Sequence, residues 1–248
     1  MVVSVIIPVF NRAVEIRGAV ASVLRQACVL PIDLLIVDDG SDAETQQVLT
    51  ALAAPDSRVR VVRRDNGGVA AARNTGLDNL LPETAFVTFL DSDDLMAPDR
   101  FASDLAVLMD NPEIMMTYGD MVITLGLDRD ALTIQADVPQ FQFTSIHMAC
   151  CLYKHELITE IGRFDETLEM AEDTDYIFRT FEIGINYCQT KTVCHYYLRH
   201  PGNMTVDRKD MATWLYRALI RSMKRRKTDP TRRLVKPEFN VELPKEFW

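Results

Sequence analysis

A doubly wound α/β fold, with a mostly parallel central sheet flanked by helices, is the architecture this sequence predicts. Three observations carry that expectation. Strand-like and helix-like segments alternate through the first 95 residues, as in chains built from βαβ units. The earliest strand-like runs are apolar at consecutive positions, the pattern of strands covered on both faces. Polar residues cluster where these runs end, and in doubly wound sheets ligands bind beyond the carboxyl ends of the strands.

The elements follow in order. "VSVIIPV" (3–9) reads as a strand buried on both faces, and "AVEIRGAVASVLRQ" (13–26) carries Ile16, Ala19, Val20, Val23 and Leu24 at helical spacing. "IDLLIVDDGS" (32–41) is a second strand, and "AETQQVLTALA" (43–53) a second helix with Ser41 or Asp42 as N-cap. "RVRVVRR" (58–64) alternates, which suits a strand near an edge. A third helix over 69–81 and a fourth strand over 85–90 complete the first half. Beyond residue 97 the reading is a helix over 97–110, one or two strands over 113–127 and a helix near 153–161. An amphipathic helix over 172–184, a strand over 185–200 and a turn over 201–204 follow, while 128–147 has no clear assignment. The chain is read as one domain over 1–205, in halves of 1–96 and 97–205, with a helical tail over 206–248.

Bulk properties remove several classes of function. The composition, 48% apolar and 25% charged, is ordinary for a soluble globular protein. A net charge of −9 argues against a nucleic-acid partner, which needs a basic face for phosphates. The first ten residues lack a basic start, and Pro8, Asn11 and Arg12 cut the apolar run short, so no signal peptide is expected. No stretch reaches the roughly 18 apolar residues of a spanning helix. Cys28, Cys150, Cys151, Cys188 and Cys194 are odd in number and form no C-x-x-C pair. They read as reduced thiols in a cytoplasmic protein.

The polar clusters carry the chemistry. Pro8, Phe10, Asn11 and Arg12 follow or end the first strand, and Asp38, Asp39 and Ser41 the second. Asn66, Gly67 and Gly68 follow the third, and Asp91, Ser92, Asp93 and Asp94 the fourth. Three carboxylates in four positions repel one another and raise one another's pKa, so they stand either as a solvated turn or as a cation site. Hard divalent cations such as Mg²⁺ or Mn²⁺ take oxygen ligands and bridge carboxylates to phosphates. Asp39 offers a carboxylate to a pyrimidine N–H, although "DDGS" is also ordinary turn chemistry. Gly67 and Gly68 open a helix whose N–H groups favour anions, with Arg73 one turn in, within reach of a nucleotide or its phosphates. Glu172 and Asp173 begin a helix, where acids complement the dipole in any protein.

Six segments in this order, "SVIIPVFNR", "LLIVDDGSDAET", "NGGVAAARNTGL", "FLDSDDLM", "GRFDE" with "EDTDYIFR", and "YYLRHPGNM", resemble the family 2 glycosyltransferases over residues 3–205. That resemblance implies a GT-A fold and transfer of a sugar from a nucleotide sugar, usually a UDP sugar, with inversion at the anomeric carbon. It implies a DxD-type motif with Asp93 as ligand to Mn²⁺ or Mg²⁺, and Asp91 supporting it or touching the donor. His200 becomes a further ligand or a diphosphate contact, and Asp39 the reader of the base. Asp173 becomes the general base toward the acceptor hydroxyl, with Glu172 orienting it. The acceptor is a glycan, a lipid-linked glycan or a protein. A non-catalytic sugar-nucleotide binder of the same fold stays open as an alternative. A DxD phosphatase fits poorly, because Leu95 stands where that motif has Thr or Val and the motif lies far from the N-terminus.

The tail carries a basic stretch, "WLYRALIRSMKRRKTDPTRRLVK" (214–236). Two readings fit it. It either lies on an anionic membrane surface or packs Trp214, Leu215, Ala218, Leu219 and Met223 on the domain with its charges in water.

Overall fold

Pairing along the sheet runs β3-β2-β1-β4-β10-β6-β11-β5, with β9 also on β6. In this computed structural model, which describes residues 1–144, 146–201, 203, 208–236, 244 and 247, the strands are β1 (Val2–Val9), β2 (Ile32–Asp38), β3 (Val59–Arg63), β4 (Thr84–Phe89), β5 (Leu95–Met96), β6 (Met116–Thr124), β7 (Leu127–Asp128), β8 (Thr133–Ile134), β9 (Gln140–Thr144), β10 (Cys151–Lys154) and β11 (Tyr187–Leu198). The helices are α1 (Glu15–Leu24), α2 (Ala43–Ala53), α3 (Val69–Asp78), α4 (Arg100–Asp110), α5 (His155–Ile161), α6 (Glu172–Glu182) and α7 (Arg208–Thr228). β1 pairs in parallel with β2 and β4, β2 with β3, and β6 with β11, while β10, β9 and β5 run antiparallel to their neighbours. The sheet is therefore mostly parallel, as expected.

Its two faces are covered by different helices. Val3, Val5, Ile7 and Val9 of β1 pack with residues of α1, α2 and α4. Ile6 of β1, with Leu35, Val37 and Phe89, packs with α3, α5 and α6. Alternate side chains of one strand thus feed two cores, which is why β1 had to be apolar without alternation. β3 forms one edge, in keeping with its alternation. Pro8 lies inside β1, beyond Ile6↔Phe89, the last pair with β4, so its missing N–H breaks no ladder bond there. α3 approaches β1 closely: a Cβ on Gly76 would stand 2.5 Å from Ile6 Cγ2. That close seat brings the first two turns of α3 over the sheet's rim.

The second half differs from the expectation in places. The helix foreseen near 153–161 begins only at His155, because Leu152 and Tyr153 are buried in β10, wedged between β4 and β6. Burial between two strands overrides helical propensity over so short a segment. The unassigned stretch supplies β8 and β9. Of the turn over 201–204, Gly202 and Met204 lie outside the described residues, as do 237–243, 245, 246 and 248 of the tail. Arg100, fully buried at the start of α4, pairs with Asp104 and donates to Thr88 Oγ1 (2.9 Å) and the Cys151 carbonyl (2.7 Å), tying α4 to β4 and β10.

The tail does form a helix on the domain, but turned the other way. Ala218 and Ser222 are buried, whereas Leu215, Leu219 and Met223 are exposed. Arg225 points inward instead, with bonds to Asp175 (2.7 Å) and both carboxylate oxygens of Glu182 (2.8 and 3.1 Å) on α6. Charge-assisted bidentate bonds at half-buried positions outweigh the small gain from covering a leucine edge. The five cysteines are free. Among the described residues no helix is long and apolar enough to cross a membrane.

Candidate active site

Because β1 to β4 are parallel, their carboxyl ends open onto one rim. Asn11, in a left-handed conformation (φ 51°), joins the first two loops: its N–H donates to Ser41 Oγ (3.1 Å) and its Oδ1 accepts from Asp42 N–H (2.9 Å). Phe10 beside it is exposed, and Arg12 NH2 lies 3.9 Å from Asp93. Asp39 is buried, and its carboxylate accepts from the N–H groups of Gly67 (3.1 Å) and Gly68 (2.8 Å). Asn66 Nδ2 donates to the Asp39 carbonyl at 2.9 Å. Asp39 thus shapes the glycine loop, which its turn chemistry alone did not reveal.

The three carboxylates after β4 have three different fates. Asp91 accepts from Arg73 NH2 at 3.0 Å. Burial pushes its pKa up, but Arg73 chiefly, with His147 and His195, outweighs burial and holds it below the ordinary range. Asp94 is fully buried, bonded to His195 Nε2 (2.7 Å) and to the Leu198 N–H (2.8 Å). Burial first, then the charges of Asp93 and Asp91, push Asp94 well above the carboxylate range. Burial pushes His195 down to about 4. Both shifts disfavour a charged pair, so the two groups meet through a hydrogen bond rather than an ion pair. Asp93 is partly exposed and lies beside Arg12 and His200, whose Nε2 is 3.1 Å from its Oδ2. This is how the chain tolerates the cluster: Asp91 is paired with Arg73, Asp94 is buried against His195, and Asp93 meets His200 and Arg12. Ser92 is buried between them.

Arg73, one turn into α3 as expected, is buried, with NH1 on Glu172 and NH2 on Asp91. One guanidinium therefore holds the rim of β4 against the N-terminus of α6. Asn74, the next residue, clasps the loop before α6: its Nδ2 donates to the Phe164 carbonyl (3.1 Å) and to Glu166 (2.7 Å), and its Oδ1 accepts the Phe164 N–H (2.8 Å). Phe164 stacks on Tyr176 of α6 with ring centroids 4.2 Å apart. The helix starts from Ala171 at φ 61°, a left-handed conformation costing an alanine about 1 kcal/mol or more. Asp173 is half-buried, and its Oδ1 accepts from the Thr174 N–H at 2.6 Å.

Glu172 is buried, and its pKa is pushed up to about 7 by burial first and by Asp173 second, with Arg73 opposing. A carboxyl that binds its proton more tightly in the fold than at 4.5 adds stability below that pH and loses it as pH rises through about 7. The unfolding free energy should fall by up to about 3 kcal/mol between pH 4.5 and 8 from this group. Denaturant melts of the protein and of Glu172→Gln across that range check this, since the variant should lack that part of the slope.

Several members of the site gave no signal in the sequence. His195 and His147 stack at 5.3 Å behind the carboxylates, and neither has ligand spacing. Arg129 donates to the Asp93 carbonyl at 2.6 Å and to the Glu15 carbonyl at 3.2 Å from a stretch that had no assignment. Asp93, Asp91 and His200 do not converge as a three-ligand set, because Asp91 faces Arg73. Among the described residues no group of three or more His, Cys, Asp or Glu side chains is placed to hold a metal. Asp93 and His200 do offer two adjacent donors of the kinds that Mn²⁺ accepts, and such ions complete their spheres with phosphates and water.

The chain is similar to known proteins over most of its length. The family described as Glycosyl transferase family 2 matches residues 4–160. The succinoglycan biosynthesis protein ExoW of Rhizobium meliloti is 31% identical over 198 residues, covering 71% of this chain and 61% of that protein. Chondroitin synthase of Pasteurella multocida is 25% identical over 213 residues, 84% of this chain and 22% of that one. This chain spans about 60% of the length of the first curated relatives it matches. Among solved structures, residues 1–349 of S. aureus TarS in complex with UDP-GlcNAc superpose with a TM-score of 0.67 at 21% identity, covering 89% of this chain and 66% of that one. Mannosyltransferase PcManGT from Pyrobaculum calidifontis, in complex with GDP-Man and Mn2+, gives 0.66 at 18%, covering 90% and 64%.

Proposed function

The chain belongs to glycosyl transferase family 2, and from that premise we propose that it moves a sugar from a nucleoside diphosphate sugar, with UDP as carrier, to an acceptor hydroxyl, inverting the anomeric carbon. The acceptor belongs to polysaccharide, glycolipid or glycoprotein synthesis. The observation that carries this reading is the single guanidinium of Arg73 between Asp91 and Glu172, which holds a candidate base and a candidate donor site side by side.

The residues divide the work as follows. The base and ribose lie against Pro8, Phe10, Asn11, Arg12 and Asp39, with Asn66 and Gly68 shaping the pocket. Asp93 and His200 would hold Mn²⁺ or Mg²⁺, with Asp91 and Ser92 beside them. When bound, the cation offsets the charge that grows on the departing diphosphate. Asp173 takes the proton of the acceptor hydroxyl as its oxygen forms the bond to the anomeric carbon and the carbon–oxygen bond to the diphosphate breaks on the opposite face. Its Oδ1 is engaged by the Thr174 N–H, which leaves Oδ2 for that proton. Glu172, fixed by Arg73, keeps Asp173 at the mouth of the site.

The test is thermal stabilisation by UDP, GDP, CDP and dTDP, each with Mn²⁺, Mg²⁺ or EDTA. A ligand at 100 times its dissociation constant adds about 2.7 kcal/mol to the folded state. The expected result is a rise in Tm with UDP and Mn²⁺ that EDTA removes and that Asp93→Asn weakens. No shift with any nucleotide overturns the reading.

A further inference from the structure

The outer face of α7 is unexplained by the reaction, and its chemistry is specific. Four of the twelve large apolar side chains exposed among the described residues are Leu215, Tyr216, Leu219 and Met223. Their spacing of one, three and four residues puts them on a single stripe of the helix, and Ala212 extends it by a turn. Tyr216 is 63% and Met223 57% exposed, so the stripe is open along its length. An apolar patch that is contiguous, rather than scattered, marks a contact surface.

Charge says what covers it. α7 carries eight Lys and Arg against one Asp, in a chain whose net charge is −9. Arg221 and Arg225 are spent inward, on Asp165 and on Asp175 with Glu182. Lys224 and Lys227 are exposed, form no ion pair among the described residues, and border the stripe on the side of Tyr216. Arg217 sits over the Trp214 ring at 4.2 Å on the same flank. The stripe is convex, so it suits a deformable apolar medium better than a rigid groove. A second copy docked stripe to stripe would bring these cations against their own kind.

We infer that α7 is an interfacial helix, which seats the protein on an anionic lipid surface with Leu215, Tyr216, Leu219 and Met223 among the acyl chains and Lys224 and Lys227 at the headgroups. The inward face fixes the outcome of that seating. Arg225 and Arg221 clamp α7 to α6 and to the loop before it, where Arg221 NH2 donates to Thr167 Oγ1 at 2.6 Å. α7 therefore stands between the bilayer and α6, the helix that begins with Glu172 and Asp173. The rest of the chain is strongly acidic and is repelled by the same headgroups, so one orientation is favoured.

Vesicle sedimentation of the full chain tests this without any nucleotide or acceptor. Vesicles of equal phosphatidylcholine and phosphatidylglycerol should bind the protein at low salt, and phosphatidylcholine alone should bind it much less. Lys224→Glu with Lys227→Glu should weaken binding by about tenfold or more. Leu219→Glu with Met223→Glu should abolish it with the Tm unchanged, because both side chains already face outward. The inference is overturned if anionic vesicles leave the protein in solution, or if light scattering shows a dimer that Leu219→Glu dissociates. Either result leaves the nucleotide melts untouched, so the two readings stand or fall separately.

Discussion

Replacing Arg73 with methionine is expected to lower the unfolding free energy at pH 8 by about 3–5 kcal/mol, the usual cost of removing one partner from a buried ion pair. For a chain of this size the Tm should fall by about 10 °C. Methionine fills much of the same volume, so the loss reports charge rather than a cavity. It leaves Glu172 buried with its carboxylate uncompensated and Asp91 facing Asp93 without its counter-charge. The cost should also depend on pH, with a definite sign. Arg73 is the group that opposes the rise in the Glu172 pKa, so without it Glu172 holds its proton to still higher pH. At pH 5.5 both chains carry a largely neutral Glu172 and differ less; at pH 8 the variant must strip that proton or bury the charge. Adding Glu172→Gln to Arg73→Met should restore a large part of the stability at pH 8. Denaturant melts of the single and double variants decide it: equal losses at both pH values would mean that Arg73 acts by packing alone.

Asp173→Asn should reduce turnover by about 10³-fold, within the range typical of a lost general base. Turnover is read as nucleoside diphosphate released from the donor sugar. Asparagine keeps the size and the bond from the Thr174 N–H, so the start of α6 should hold its shape. Donor binding, followed by the nucleotide melts, should stay within about twofold of the original. That split between binding and rate separates a base from a structural acid. Turnover within twofold of the unaltered protein would remove Asp173 from the mechanism, and loss of both binding and rate would make it a donor contact.

What the sequence disclosed follows from the range of the interactions involved. The four parallel strands and their rim were legible because each strand is a local run with local punctuation: β1, β2 and β4 are mostly apolar and almost wholly buried, and each ends in or is followed within a few residues by its polar group. The family resemblance then assigned roles to Asp39, Asp93, Asp173 and His200. The fate of the acids was not legible. Asp94 meets His195 across 101 positions, and Arg73 meets Glu172 across 99, so no local pattern tells which partner each acid meets. The orientation of α7 failed for the same reason. Its periodicity offers an apolar face, but Asp175 and Glu182 on another helix draw the arginines inward and turn that face out.

The insertion of β10 between β4 and β6 bears on how the protein is made. A ribosome delivers β1 to β4 within the first 89 residues, so every strand of their parallel pairing is present by then. The outer edge of β4, however, waits for residues 151–154, and β10 in turn waits to be flanked by β6. During some 60 residues of elongation an apolar strand edge stands open, the kind of edge on which nascent chains aggregate. Arg100, whose guanidinium reaches both Thr88 and the Cys151 carbonyl, completes its bonds only when that edge closes. Cutting the chain between residues 96 and 97 would therefore not yield a free-standing first half, but a sheet arrested with the outer edge of β4 uncovered.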